Sequence, residues 1–245
     1  MAGRAIGFWR GFTAPFGALA SLAGMPAAWP FVVVPALVFT LLEATFVLLA
    51  WKFLKPWVGE HLASSGSFGH TGGMVAAWLS VLLSAALGWL LSAFLAPTLS
   101  SPALERVVGL VETSLAAPAR APLGFFAEFG CGVRSLLLSS ALTLPVVIGL
   151  TLLEMVAPPL AVVVTPLKLL LGALGVAWGL FDYPLTLRGV GARERFAFMK
   201  RHFAVVLGFG AAFSLVFWLP CFGILMLPVG VAAATRLYWA IQRAQ

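Results

Sequence analysis

The chain has 245 residues, of which 62% are hydrophobic and 9% are charged, whereas a soluble domain carries about 25% charged residues. This composition excludes a water-soluble globular protein and a disordered one, and it predicts a one-domain integral membrane protein. The formal net charge of +7 indicates either nucleic acid or an acidic substrate as a partner, or the basic cytoplasmic loops that membrane proteins carry.

The N-terminal segment, residues 4–22, is predicted to be an amphipathic helix. Its two basic residues, Arg4 and Arg10, stand among phenylalanine, tryptophan and glycine residues. This mixture is typical of a helix that lies in the membrane interface. We therefore expect this segment to lie along the membrane surface.

Two uninterrupted apolar segments follow, residues 31–51 and 74–96, and each is long enough to cross a bilayer as a helix. The charged residue of the first segment is Glu43, which either faces a water-filled cavity or forms a hydrogen bond with a neighbouring helix. Residues 59–73, between the two segments, are rich in glycine and serine, which predicts a flexible outer loop.

The linker at residues 97–134 mixes small, charged and apolar residues. Its central part is predicted to be an amphipathic cytoplasmic helix, because apolar residues recur there at helical spacing. These residues are Leu104, Val107, Val108, Val111 and Leu115.

Proline interrupts the two remaining apolar regions near their middle: Pro158 and Pro159 in residues 135–181, and Pro220 in residues 203–235. Proline removes a backbone donor and clashes with the preceding turn, so it kinks or ends a helix. Each region is therefore predicted to be a helical hairpin. The legs of the second are shorter than the roughly 20 residues of a span, whereas those of the first either cross or half-cross. Turns inside lipid need protein around them, which predicts a homo-oligomer.

Charged residues flank the first proline turn. Glu154 precedes the two prolines and Lys168 follows them, so the two side chains are expected on opposite legs of the hairpin. Charges in an apolar segment are costly unless they are paired or functional. We expect either a structural ion pair or a part of an ion pathway.

A helix break is predicted at Asp182-Tyr183-Pro184, where a long apolar leg meets an acid, a phenol and a proline. Asp182 is expected to cap the helix or to hydrogen-bond the backbone at that break. The basic run that follows, from Arg188 to Arg201, either binds lipid headgroups or forms an electropositive vestibule that concentrates anions.

The basic residues also predict the orientation in the membrane. If the N-terminus is cytoplasmic and each hairpin returns to its own side, only Lys52, Lys55 and Lys168 among the 15 lysines and arginines fall outside the cytoplasmic segments. This bias follows the positive-inside rule and places both termini in the cytoplasm. Topology accounts for most of the net charge, and we expect no nucleic-acid partner.

No sequence motif predicts catalysis, a metal site or a cofactor. Histidines, cysteines and acids show no spacing typical of metal ligation, and neither a nucleophile motif nor a phosphate-binding loop occurs. We therefore expect a protein without enzymatic activity, and an enzyme that acts on lipid is the least favoured alternative.

Short motifs follow one another in a fixed order along most of the chain. They are Phe31-Val-Val-Val-Pro35, Leu95-Ala96-Pro97 with Glu105, Trp178, Asp182-Tyr183-Pro184, Gly208-Phe209-Gly210, Leu219-Pro220, Leu227-Pro228-Val229 and Ala233-Ala234-Thr235. This ordered set resembles the CysZ / etoposide-induced membrane protein family. The resemblance is densest over residues 178–235 and omits the outer loop and residues 113–133.

The resemblance implies two long spanning helices with half-penetrating hairpins, assembled as a homo-oligomer in the bacterial inner membrane. It also implies passive passage of sulfate into the cell. Where the family carries a Gly-apolar-Arg-Arg stretch associated with sulfate, this chain has residues 27–30, Ala-Ala-Trp-Pro. Tryptophan and proline cannot replace the paired, charge-assisted hydrogen bonds of arginine.

A weaker anion site is expected just before these residues, because free backbone N–H groups also attract anions. The candidate loop consists of Gly24, Met25, Pro26 and Trp29.

The sequence therefore favours an all-α membrane protein that forms an oligomeric, passive path for a small inorganic anion, with sulfate as the cargo that the resemblance implies. The alternative is a scaffold on the same fold that transports nothing. The expected partners are the lipid bilayer, the anion and other copies of the chain. Candidate residues of the path or of its ion-pair network are Glu43, Glu105, Arg106, Glu154, Lys168, Asp182 and Arg188, and those of the structural motifs are Tyr183, Pro184, Pro158, Pro159, Pro220 and Pro228.

Overall fold

The computed structural model describes residues 7–64, 69–118, 137, 141, 144–217 and 222–244. Those residues form helices and turns without a strand, and four of their helices are long and apolar enough to cross a membrane. The protein is thus an all-α multi-pass membrane protein, which confirms the predicted fold class. The chain divides into two compact units, Pro35–Leu99 and Met1–Val34 together with Ser100–Gln245.

The unit Pro35–Leu99 contains the two long spans. Helix α2, Trp29–Leu49, runs through a π-helical turn, Ala50–Leu54, into α3, Lys55–Ser64. Helix α4, Gly69–Leu99, has 31 residues. Both spans extend beyond the expected segments, to Pro26–Leu62 and Thr71–Leu99.

The prediction of a flexible loop at residues 59–73 is wrong for most of that segment. Residues 59–64 lie in α3 and residues 69–73 lie in α4, while residues 65–68 fall outside the described part of the chain. Gly59 faces α4, where a Cβ atom at its position would make an ordinary contact of 3.7 Å with the Cβ atom of Ala77. Small side chains let two helices approach closely in a membrane, and such a segment resembles a loop in sequence.

The other unit contains the remaining helices and most of the buried core. They are α1 (Phe8–Ala23), α5 (Ser101–Ser114), α6 (Leu144–Val156), α7 (Ala161–Leu187), α8 (Ala192–Arg201), α9 (Phe203–Phe217) and α10 (Phe222–Gln242). The core lies between α1, α5, α7, α9 and α10, where the ring of Phe209 packs edge-on or tilted against those of Phe181 and Phe213, with centroids 5.1 and 5.0 Å apart.

Glycine brings α9 into backbone contact with its two neighbours. A Cβ atom at Gly11 of α1 would lie 2.0 Å from the carbonyl oxygen of Val205, and one at Gly210 of α9 would lie 1.9 Å from that of Ala173 on α7. No side chain fits in either place. The three helices therefore pack at a distance that only glycine permits.

Helix α5 is amphipathic with one buried face. Leu104, Val107, Val108 and Val111 are all fully buried, whereas Arg106 is exposed. Four of the five apolar positions of the predicted helical face thus contribute to the core.

The chain reverses at Pro158–Leu160, a 3₁₀ turn between α6 and α7. Glu154 and Lys168, on either side of the turn, form an ion pair, whereas in a straight helix 14 residues would separate them by about 21 Å. The chain thus reverses at Pro158 and Pro159, as their position in the apolar region predicted. Helix α6 as described is short, and α7 is long enough to cross.

The helix break predicted at Asp182-Tyr183-Pro184 is wrong. Helix α7 continues through these residues to Leu187, with Pro184 inside it. Proline costs one backbone hydrogen bond, but Leu180, Phe181 and Leu185 are at most 2% exposed in the core. Burial of this helical face outweighs the lost hydrogen bond.

The last hairpin differs from the expectation at its C-terminal leg. Pro220 lies outside the described residues, but α10 extends past Thr235 to Gln242 and reaches a length of 21 residues. Its added turns are held by Leu237 and Ile241, which are at most 4% exposed. This leg is therefore long enough to cross, and Pro228 lies within it.

Candidate functional site

Glu112 of α5 is the centre of a buried polar cluster between α5, α7 and α10. Arg188, which follows α7, donates from Nε to Glu112 Oε1 over 3.0 Å, and Trp239 of α10 donates from Nε1 to the same oxygen over 3.3 Å. The guanidinium carbon of Arg188 lies 4.3 Å from the centre of the Trp239 ring. Arg188 also donates from Nη2 to the carbonyl of Pro118. The cluster joins three helices through one carboxylate.

Asp182 of α7 joins the basic helix α8 to the core. Arg195 of α8 donates from Nη1 to Asp182 Oδ1, and it donates from Nε to the carbonyl of Val190 over 2.8 Å. Thr186 donates to Asp182 Oδ2 over 3.2 Å. The expected capping role of Asp182 is therefore wrong, because α7 does not end there and the carboxylate binds a guanidinium instead.

Glu105 and Arg106 are adjacent on α5 but lie on different faces. Glu105 is 6% exposed and accepts a hydrogen bond from Ser101 Oγ over 3.2 Å, whereas Arg106 is exposed. Successive helical residues point about 100° apart, so the two cannot share one environment. Glu105 belongs with the buried polar residues of α5, and Arg106 does not.

Glu154 and Lys168 form an ion pair across the Pro158–Leu160 turn. Thr165 supports the pair by donating to Glu154 Oε1 over 3.1 Å. About a quarter of each charged side chain stays exposed. The pair is local to the α6–α7 hairpin.

Glu43 lies in the unit Pro35–Leu99, where it faces α4. A Cβ atom at Gly88 would lie 3.3 Å from Glu43 Oε2, so the carboxylate sits where α2 and α4 meet. This oxygen is buried and accepts no hydrogen bond within the described residues. The expected hydrogen bond to a neighbouring helix is not formed by that oxygen.

In the candidate anion loop at Gly24, Met25, Pro26 and Trp29, the N–H groups that were expected to bind an anion donate to carbonyl groups of α1. The N–H of Gly24 donates to Ala20 O over 3.3 Å, and that of Met25 donates to Leu22 O over 3.0 Å. Trp29 Nε1 also donates to Leu22 O. These groups complete the C-terminal end of α1, so the expectation of free backbone N–H groups there is wrong.

Sequence reasoning missed Glu112 and Trp239, although a signal for Glu112 was present. Glu105 and Glu112 are seven residues apart, which places both on the same helical face as the buried valines of α5. An acid at a core-facing position indicates a buried partner. The partner itself, Arg188, lies 76 residues away in the chain and carries no comparable signal.

Comparison with known proteins assigns the chain to a family. The family model for sulfate transporter CysZ/etoposide-induced protein 2.4 matches residues 14–228. The chain belongs to this family. The matched residues include α5 and α7 but end within α10, before Trp239. The match confirms the family that the motifs resembled.

Curated relatives in this family are named as transporters. The chain is 36% identical over 100 residues to the sulfate transporter CysZ of Pseudomonas fluorescens strain Pf0-1, and 33% identical over 100 residues to that of Pseudomonas syringae pv. tomato. Each match covers 41% of this chain and 39% of the relative. The CysZ-family chain is therefore similar to proteins that are named as transporters, over about two fifths of their length.

Proposed function

We propose that the chain assembles as a homo-oligomer in the bacterial inner membrane and provides a passive path for a small inorganic anion. Sulfate is the first candidate, because the curated relatives are named as sulfate transporters. The observation that carries the proposal is the basic helix α8, which the pair between Asp182 and Arg195 holds against α7.

Helix α8 presents a set of exposed positive charges. Arg195 is paired with Asp182, but Arg193, Lys200 and Arg201 are exposed, and the acid of this helix, Glu194, accepts a hydrogen bond from the N–H of Gly191 at its start. A surface with one net sign of charge raises the local concentration of counter-ions. We assign to α8 the role of concentrating anions at the mouth of the path.

The α6–α7 turn supports an oligomer. Met155, Val156 and Val162 around the turn are 75%, 85% and 81% exposed. If this turn lies inside the bilayer, its irregular backbone needs protein around it, because lipid cannot supply hydrogen bonds. Other copies of the chain are the partner that the family resemblance implies.

The proposed orientation places both termini in the cytoplasm, where the positive-inside rule puts α8. Single cysteines introduced at Lys200 and at Lys52, in a chain whose native Cys131 and Cys221 are replaced by serine, test this orientation in cells. A membrane-impermeant thiol reagent should label position 52 from outside and position 200 only after permeabilisation. The reverse labelling contradicts the orientation.

Radiolabelled sulfate uptake into liposomes tests the transport function. Purified protein inserted into liposomes should admit sulfate down its gradient without ATP, faster than empty liposomes. The triple variant R193Q/K200Q/R201Q should reduce uptake at low ionic strength, and the difference should shrink in high salt, where exposed charges are screened. Lys52→Gln is the control, because it removes a positive charge from the other unit.

A scaffold without transport is the second candidate, and a specific observation favours it. Arg188 and Arg195 are engaged by carboxylates, and residues 27–30 lack the family's arginine pair. If correctly inserted protein shows the same sulfate, phosphate and chloride flux as empty liposomes, the scaffold is favoured and the path is excluded.

A further inference from the structure

A cavity of about 290 Å³ lies between α1 and α10, beside the C-terminal end of α5. Helix α1 lines it with Arg10, Thr13 and Gly17, α10 lines it with Arg236 and Trp239, and Arg243 follows directly after α10. Residues at this spacing, three, four and seven apart, form one stripe on a helix. Two such stripes face each other across the cavity. One runs from Arg10 to Gly17 and the other from Arg236 to Arg243.

Three arginines meet at this cavity without a matching acid. None of the described residues that line it is aspartate or glutamate. Arg10 and Arg243 are exposed and Arg236 is half-buried, so water screens part of the repulsion among these like charges. An anion in the cavity would relieve the rest of that repulsion.

Hydrogen bonds hold two of the arginines in place while leaving donors for a ligand. Arg236 is half-buried and donates from Nη1 to Ser21 Oγ over 2.7 Å, and Arg243 donates from Nη2 to the carbonyl of Leu115. A guanidinium has five N–H donors, so each keeps several for a further partner. Arg10 makes no ion pair with the residues described here, and it completes the third side.

We propose that this cavity, which we call the arginine cavity, binds a tetrahedral oxyanion, either a sulfate or a phosphate group. Arginine forks bind such groups through paired, charge-assisted hydrogen bonds. The cavity has room for the oxyanion and several waters, each of which occupies about 30 Å³ in the liquid. The site uses arginines that lie outside residues 27–30, and it stands independently of anion passage.

Two sources supply this chemistry: a free anion from solution and the phosphate of an anionic lipid. Thermal unfolding of the purified full-length chain in neutral detergent tests the first. Sodium sulfate and sodium phosphate should raise the unfolding midpoint above that in sodium chloride of equal ionic strength. Because both salts also stabilise proteins by exclusion from the surface, binding is measured as the part of this rise that Arg10→Gln abolishes. Native mass spectrometry with equal amounts of phosphatidylglycerol and phosphatidylcholine tests the second, and phosphatidylglycerol should be enriched.

Arg10→Gln is the decisive variant, because it removes one guanidinium without touching the bonds to Ser21 and Leu115. Loss of one charge-assisted interaction should lower the affinity for the bound group, whether free oxyanion or phosphatidylglycerol, by about tenfold or more. Arg236→Lys, which keeps the charge but loses the fork, should weaken it as well. Lys52→Gln is the control and should match the unchanged chain in both arms.

The outcomes separate the sources and leave a clear refutation. Binding in the salt arm alone identifies a free oxyanion, binding in the lipid arm alone identifies a headgroup, and binding in both supports a site that accepts either. No binding in either arm overturns the proposal, as does binding that Arg10→Gln and Arg236→Lys leave unchanged. Because neither arm measures flux, failure of transport and failure of this site are distinguishable.

Discussion

Arg188 and Glu112 form an ion pair between helices that are far apart in the chain, with Nε and Oε1 separated by 3.0 Å. The Glu112 side chain is 7% exposed and that of Arg188 is 16% exposed. Trp239 closes the pair by donating to the same carboxylate oxygen and lying against the guanidinium. A largely buried charge is costly without its partner, so each residue depends on the other.

Glu112→Gln should lower the free energy of unfolding by about 2–3 kcal/mol, because it leaves the Arg188 guanidinium without its counter-charge. Unfolding in detergent, followed by tryptophan fluorescence, measures the change. Arg188→Gln and the double variant complete the cycle. If the two single changes simply add in the double variant, the pair is not coupled and the description of the cluster is wrong.

Asp182→Ala should lower stability and assembly more than it changes anion preference. Removal of the carboxylate frees Arg195 and releases α8 from the last turn of α7. The unfolding midpoint and the size of the assembly by gel filtration should both fall. Arg193→Ala is the matched control, because Arg193 is exposed on the same helix and should change neither. An intact assembly with altered anion preference would contradict the structural role.

Part of the fold and of the site could be predicted from the sequence. Composition and segment length predicted the all-α membrane fold, and proline with flanking charges placed Glu154 and Lys168 together. Local patterns could not reveal that α7 continues through Pro184, because burial of Phe181 and Leu185 decides this, and burial depends on distant helices. The same holds for Arg188, whose partner lies on a helix 76 residues earlier.

Glycine was also ambiguous in the sequence. The glycines of residues 59–73 predicted a loop, yet those in the described part of that segment lie in helices, since a missing side chain favours both turns and close helix packing. The arginine cavity could not be predicted from local patterns either. Spacing places Arg236 and Arg243 on one side of α10 and its following turn, but only the fold brings Arg10 to meet them.

Gly210→Ala should destabilise the unit that contains α7 and α9 by about 3 kcal/mol, because the new methyl group would overlap the carbonyl oxygen of Ala173. Gly172→Ala is the control on α7, where a Cβ atom meets nothing within 4 Å. Alanine favours a helix over glycine, so the control should be neutral or stabilising. Equal effects of the two changes in a thermal unfolding assay would show that α7 and α9 do not pack as described.

Glu43→Gln should leave stability unchanged or raise it, because one oxygen of the carboxylate is buried without a hydrogen-bond donor among the described residues. Burial of an uncompensated charged or polar group costs free energy, and a neutral amide of similar size reduces that cost. The unfolding midpoint in detergent measures this effect. A fall of several degrees would show that the ionised carboxylate has a stabilising partner.

The level at which sulfate uptake stops tests the proposed passive path most directly. Liposomes containing the purified chain are given radiolabelled sulfate at several outside concentrations, and the inside concentration is measured until it is constant. A passive path predicts that the inside concentration rises faster than in empty liposomes and stops when it equals the outside concentration. Uptake no faster than in empty liposomes, with insertion verified, contradicts a path for sulfate, and accumulation above the outside concentration contradicts a passive one.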